Sequence, residues 1–312
     1  MSAKRWNAEN IPSQEGKKVL ITGANSGIGF EASRVLSSKG AQVIMAVRNL
    51  RKGKESADKI RKENPDAKLD VMMLDLSDFS SIRNFSGEFH KKYSQLNILI
   101  NNAGVMAPKK RELTKQNFEI QFGTNHLGHF LLTGLLFDIL KNSPGSRVVV
   151  QSSIVHKQKF YGADIHFKDL NWEKGYNKEH AYGQSKLANL LFAYELDRRI
   201  KAHNIKMIVT AAHPGYTNTN LQKHYGFLFS AILNNVVAQN VKIGTLPVVR
   251  AATEENLNGS EYFGPTRMME MRGYPELVQS SEKSYDKELA AKLWDVSEKL
   301  TGFTYNFERN SI

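Results

Sequence analysis

The stretch that most limits what this chain can fold into is Val19-Leu20-Ile21 followed by Thr22-Gly23-Ala24-Asn25-Ser26-Gly27-Ile28-Gly29. A short apolar run with two β-branched residues suits a buried strand. Ile28, Ala32, Val35 and Leu36 then recur at helical spacing as far as Lys39. Strand, glycine-rich turn and helix in that order form the first unit of a dinucleotide-binding α/β fold. The glycines let the backbone approach a pyrophosphate, and the helix N-terminus offers unpaired N–H groups to the anion. The three-residue gap between Gly23 and Gly27 departs from the usual G-x-G-x-x-G. Taken alone, the stretch reads equally well as an ordinary strand-to-helix turn.

The remaining sequence repeats the alternation. Strands are expected at 17–23, 42–47, 69–74, 97–100, 147–151 and 205–212, with a short last one at 261–263. Helices are expected at 27–39, 49–64, up to 93 after a cap at Ser77 or Asp78, and at 114–141, 181–200, 241–255 and 283–300. The 114–141 helix carries Gly123-Thr124-Asn125-His126-Leu127-Gly128, which predicts a kink. Residues 154–180 read as a polar excursion over the surface. Such alternation implies an α/β protein with a single doubly wound parallel sheet of Rossmann type and helices on both faces. The expected organisation is a polar leader at 1–16, one NAD(P)-binding domain at 17–304 and a tail at 305–312. A substrate lid is expected at about 216–240, carrying the apolar patch 225–233; that patch reads equally as a dimer or core contact.

Composition removes several classes of function. The 312 residues include no cysteine, which excludes disulfides, thiolate zinc sites and a cysteine nucleophile and is compatible with a reducing cytoplasm. The net charge is +12, scattered apart from 48–62 and 109–111, and no groove-reading motif accompanies it. An anionic cofactor and a solvated surface account for it without nucleic acid. The N-terminal residues lack a signal-peptide core, and no apolar run approaches the ~20 residues of a membrane span, so a soluble, cytoplasmic protein is expected. His126, His129, His156 and His213 form no convincing metal set, and no metal is expected.

Chemistry-bearing residues gather at expected strand ends, where open α/β sheets hold ligands. Arg48 closes the second strand, where a basic residue suits the 2′-phosphate of NADP and an acidic one the ribose of NAD; NADP is therefore preferred. Asn101-Asn102-Ala103-Gly104 ends the fourth strand, Ser152-Ser153 the fifth and Pro214-Gly215 the sixth. Tyr182 and Lys186 stand at i and i+4, on one face of a helix. A lysine ammonium so placed favours an ionised phenol and equips the tyrosine for proton transfer near neutral pH.

In this order the motifs resemble the classical short-chain dehydrogenase/reductase family over about residues 17–265. Ser152-Ser153-x-x-His156, the long Ser-to-Tyr spacing and Lys186-Leu187-Ala188-Asn189 are similar to its retinol dehydrogenase-like and protochlorophyllide reductase-like branch. The resemblance implies roles. Tyr182 would be the general acid/base, with Lys186 lowering its pKa and binding the nicotinamide ribose. Ser153, rather than Ser152, would hydrogen-bond the substrate oxygen, and Asn125 would position a water in a proton relay to Lys186. Gly23, Asn25, Ser26, Gly27, Ile28 and Gly29 would wrap the pyrophosphate, and Asp75 and Leu76 would flank adenine. Asn102, with Ala103 and Gly104 beside it, would hold the adenine-side ribose. Pro214, Gly215, Thr217 and Thr219 would approach the carboxamide. The longer Ser153–Tyr182 separation departs from most members; the N-terminal anchor frequent among members related to membrane retinoid enzymes is not expected here, nor is an obligate membrane role. Family members are commonly homodimers or homotetramers. The function implied is an NADP(H)-dependent oxidoreductase acting on the carbonyl or alcohol of an apolar small molecule, a reading to which Phe227, Phe229 and Leu233 contribute. The alternative is a non-catalytic NADP-binding sensor or scaffold on the same fold.

Overall fold

The structure is a computed structural model that describes residues 5–157, 163–217 and 239–308. The expected lid with its apolar patch at 225–233, and Thr219, lie outside the described residues, apart from the lid's ends at 216–217 and 239–240.

Eight strands form one sheet: β1 (Lys18–Thr22), β2 (Gln42–Val47), β3 (Leu69–Met73), β4 (Ile98–Asn101), β5 (Ser146–Gln151), β6 (Met207–Ala212), β7 (Tyr262–Arg267) and β8 (Arg272–Leu277). Their order is β3-β2-β1-β4-β5-β6-β7-β8. The first seven pair in parallel, with Val19 opposite both Val43 and Ile98. This is the doubly wound, Rossmann-type sheet expected, reversing direction between β1 and β4. One strand departs from it. The segment expected at 261–263 extends to Arg267 and turns back into β8, which pairs antiparallel and closes the edge. Gly273 and Pro275 give β8 the look of a turn in sequence; an edge strand tolerates the proline because one side has no partner.

Alternate residues of each strand feed two cores. Leu20, Ile44, Leu99, Val148 and Val150 enter one layer. Val19, Ile21, Val43, Met45, Ile98, Ile100 and Val149 enter the other. The second layer is covered by α1 (Gly27–Ser38), α2 (Leu50–Glu63) and the helix here called α7 (Val241–Thr253). The first is covered by α3 (Phe79–Lys92), α4 (Gly128–Leu135), α5 (Phe137–Lys141), α6 (Lys178–Ala202) and α8 (Lys287–Thr301). Asp78, not Ser77, caps α3, accepting the Ser80 N–H at 2.9 Å.

Four expectations shift in detail. The stretch expected to be helical from 114 first makes a bridge between Leu113 and Glu119, and the kink is a π-helical turn over Phe122–Leu127 that leads into α4. The excursion after β5 is not wholly superficial, since Ile165 and Trp172 are buried. At the N-terminal side Ile11 is buried and Trp6 packs against the second core, so residues 6–16 belong to the packed unit. At the other end Tyr305 and Phe307 are buried against Trp294 and Phe137 rather than forming a tail. Among the described residues no helix is long and apolar enough to cross a membrane.

Candidate active site

A cavity of about 620 Å³ opens along the C-terminal ends of the parallel strands. At one end lies the glycine turn. Ser26 occupies the N-cap of α1 without making a capping hydrogen bond, and Ser26, Gly27 and Ile28 line the cavity. The first helical turn therefore presents its free N–H groups and positive dipole end to the space where an anion would sit. Gly29 does not line the cavity. Its role is close packing: a Cβ there would fall 2.5 Å from the Gly23 carbonyl oxygen and 2.6 Å from Asn102 Nδ2.

Thr22 ties this turn to the end of β4. Its Oγ1 accepts the N–H groups of Asn102 and Ala103, each at 2.9 Å, and lies 2.9 Å from His129 Nε2. With both lone pairs taken, the hydroxyl donates to His129, which leaves the histidine proton on Nδ1 to reach the Asn125 carbonyl at 2.9 Å. Burial holds the His129 imidazole down at about 4, so it stays neutral in this role. Asn102 Nδ2 adds a 2.7 Å bond to the Thr22 carbonyl.

Farther along, Arg48 at the end of β2 is exposed and lines the cavity with Leu74, Asp75, Leu76 and Ser77. The Asp75 carboxylate is engaged by the Ser77 N–H and hydroxyl, at 2.9 and 2.7 Å. The residues present fit a dinucleotide. The turn leaves its backbone bare, a guanidinium stands at the entrance, and two buried wall atoms, Thr124 Oγ1 and Gln151 Oε1, have no hydrogen-bond partner in the protein. Buried polar atoms of that kind are normally satisfied by a ligand or water.

At the opposite end, Ser153, Tyr182 and Lys186 meet on the same cavity. Strand alternation separates the two serines. Ser152 Oγ donates to the Lys186 carbonyl at 2.9 Å, while Ser153 begins the short 3₁₀ turn Ile154–His156 with only a 3.5 Å contact to the Val155 N–H. The Ser153 hydroxyl is thus the one left for a ligand. Lys186 is buried, its Nζ 3.3 Å from the Gln151 carbonyl and 5.6 Å from the Tyr182 ring centre. Burial draws its ammonium down to about 8.

Of the expected site residues among those described, all but Gly29 and Asn125 line this cavity. Asn125 sits behind it. Its Oδ1 accepts the Val105 N–H at 2.7 Å, and its Nδ2 donates to the Val105 carbonyl and to Ser185 Oγ, both at 2.9 Å. The Asn125 carboxamide thus braces Val105 and Ser185 behind the cavity wall. Sequence reading missed Gln151, Thr124, Val105, Met106, Ile154, Val155, Tyr216 and Met271 on the wall. Gln151 and Val105 adjoin motif residues and could have been found by proximity; Met271 has no sequence signal.

Fold and site together define a dinucleotide-binding α/β oxidoreductase. The sequence profile of the short chain dehydrogenase family matches residues 17–165. The chain is 40% identical over 305 residues to mouse Retinol dehydrogenase 14, covering 92% of this chain and 86% of that protein. It is 38% identical over 290 residues to the chloroplastic short-chain dehydrogenase TIC 32 B of Brassica napus, covering 90% and 87%. A crystal structure of a Mycobacterium paratuberculosis protein superposes with a TM-score of 0.81 at 38% identity, over 97% of this chain and 100% of that one. A Shigella flexneri short chain dehydrogenase complexed with NADP shares the fold at 20% identity, with a TM-score of 0.61 over 79% of this chain and 95% of that one. The chain belongs to the short-chain dehydrogenase family, and its relatives bear out the resemblance to the retinol dehydrogenase-like branch.

Proposed function

We propose that the protein is an NADP(H)-dependent oxidoreductase of apolar aldehydes, ketones or alcohols, retinal-like molecules among them. The observation that carries this reading is one cavity lined by the phosphate-binding turn at one end and by Ser153, Tyr182 and Lys186 at the other. When bound, the nicotinamide supplies a hydride to a carbonyl carbon or accepts one from an alcohol. Gly23, Asn25, Ser26, Gly27 and Ile28 hold the pyrophosphate against α1, packed close by Gly29. Arg48 takes the 2′-phosphate, which favours NADP over NAD. Asp75 and Leu76 border the adenine, and Asn102, Ala103 and Gly104 the adjoining ribose. Pro214, Gly215, Thr217 and Thr219 serve the nicotinamide side.

In reduction, Ser153 Oγ donates a hydrogen bond to the carbonyl oxygen and Tyr182 Oη delivers the proton that turns it into a hydroxyl. Lys186 stabilises the phenolate that Tyr182 leaves behind, and Asn125 keeps Val105 in place beside it. Val105, Met106, Ile154, Val155, Tyr216 and Met271 make the wall beyond these groups predominantly apolar, which supports an apolar substrate. The lack of cysteine suits a cytoplasmic location.

The test is NADPH oxidation with a panel of aldehydes and ketones, using wild type and Tyr182→Phe. Wild type should turn over. The variant should lose at least ~100-fold in kcat while binding NADPH as wild type does. A panel without turnover, together with no NADPH binding, would overturn the reading.

A further inference from the structure

The turn between β7 and β8 carries three successive non-glycine residues in the left-handed region: Met268 (φ 51°), Met269 (φ 53°) and Glu270 (φ 63°). L residues enter that region singly and at a cost, so a run of three persists only where the surroundings impose it. Packing of the methionines does not impose it, because Met268 and Met269 are exposed. Glu270 is the member of the run with charged side-chain partners. Its carboxylate accepts Lys157 Nζ at 2.7 and 2.9 Å and contacts His213 Nε2 at 3.1 Å.

Neither partner of Glu270 lines the cavity, but each lies next to a different lining segment, Ser152–Val155 or Pro214–Thr217. Lys157 follows the 3₁₀ turn that begins at Ser153. His213 is fully buried at the end of β6; its Nδ1 accepts the Gly215 N–H at 3.3 Å, so Nε2 carries the proton given to Glu270. Burial alone would raise the Glu270 carboxyl, but the bonds from His213 and Lys157 hold it below the usual range. The turn itself then lies against Pro214–Thr217. The Met271 carbonyl accepts the Tyr216 N–H at 2.8 Å, and a side chain at Gly215 would collide with that carbonyl. Gln239 braces the other side, donating to the Pro214 carbonyl at 2.7 Å and accepting the Gly273 N–H at 3.1 Å. Met271 and Tyr216, so placed, line the cavity with Ile154 and Val155.

We propose that Glu270 is a positioning residue for the substrate wall, and that Met271, the neighbour it holds in the cavity, sets the bulk of the apolar substrate accepted. The inference rests on the oxidoreductase reading above. Glu270 touches no reacting atom. It fixes the Ser153 turn, the Pro214–Gly215 turn and the Met271 backbone relative to one another, and a strained backbone is held in return.

The test compares wild type, Glu270→Gln, Lys157→Met, the double variant and Met271→Ala, with NADPH and straight-chain aldehydes from butanal to decanal. Glu270→Gln should raise the aldehyde KM about tenfold, a larger change than any in kcat or in the NADPH Kd. Lys157→Met should act in the same direction, and the double variant should fall short of the product of the two effects. Met271→Ala should shift kcat/KM toward the longer aldehydes at least about fivefold. Amide exchange of the NADP⁺-bound protein supplies a readout independent of turnover: Tyr216 should exchange faster in Glu270→Gln, with Tyr182–Asn189 unchanged. Unchanged KM and unchanged Tyr216 exchange, or a change in NADPH Kd as large as that in KM, overturns the role of Glu270. An unchanged length preference overturns that of Met271. If wild type reduces none of the aldehydes, the oxidoreductase reading fails separately. Tyr216 exchange then decides Glu270, and calorimetric binding of straight-chain alcohols to the NADP⁺-loaded wild type and Met271→Ala decides Met271, with no difference in binding overturning it.

Discussion

A buried ammonium sets the conditions at the reacting end of the cavity. Lys186 is drawn down to about 8 by burial, against an ordinary value of 10.5. The unfolded chain therefore binds that proton more tightly than the folded one. Below pH 8 the ligand-free fold bears the cost of the buried charge, and the cost fades as pH rises from 8 to 10.5. Lys186→Met should accordingly raise the stability of the ligand-free protein at pH 7 by about 1–3 kcal/mol while abolishing turnover, a trade visible in parallel thermal melts and rate assays. Arg48 invites the opposite comparison. It is exposed and, among the described residues, has no side-chain hydrogen bond or ion pair, so Arg48→Ala should leave the melting temperature within about 1 °C. The same change should weaken NADPH binding about tenfold and NADH binding little, as measured by fluorescence titration.

At the scale of elements, the glycine turn is held by contacts as much as by composition. Gly29 lies so close to Gly23 and Asn102 that Gly29→Ala must push the turn off α1. NADPH affinity should drop at least about tenfold, with a loss of stability near 1–3 kcal/mol, read by titration and by urea unfolding. How legible each element was follows from its physics. Parallel strands buried on both faces read as apolar runs, so β1, β2, β4, β5 and β6 stand out in the sequence. β8 does not, because Arg272–Leu277 is an edge strand with a glycine, a proline and little apolar character. The π turn was visible only as a weak point around Gly123 and Gly128; the contact of Asn125 with Val105, across a gap of 20 residues, has no local signal. Tyr182, Lys186 and Ser153 were found because their spacing is local or falls at strand ends. Glu270 and Met271 were not, since they sit in the β7–β8 turn and reach the site edge only because β7 runs on, parallel to β6, as far as Arg267.

Across the whole molecule, burial and charge combine to make the fold sensitive to acid. Burial lowers His126 to about 3, His129 to about 4 and His156 to about 3, from 6.5. In the unfolded chain these imidazoles take up protons as pH falls through 6.5, whereas in the fold they stay neutral until pH 3–4. Stability is complete above about pH 6.5 and drains away below it, by about 2 kcal/mol for each histidine at pH 5. Urea midpoints at pH 7 and pH 5 should show this loss. His126→Phe should reduce it, since the ring sits among Phe122, Phe130 and Phe192 and, among the described residues, makes one hydrogen bond, to Ser297. The same region carries α8 and Trp294, buried against Phe130, Phe192 and Tyr305.

The division of labour along the polymer has a further consequence. The groups proposed for the pyrophosphate and adenosine come from the first 104 positions, while Met271, Tyr216 and the Glu270 and Gln239 that brace them lie in the carboxyl-terminal third. Exchange of that third between relatives would therefore carry over a new appetite for substrate and leave the grip on the pyrophosphate and adenosine intact, so diversification within such a lineage can proceed largely on one side of the cleft.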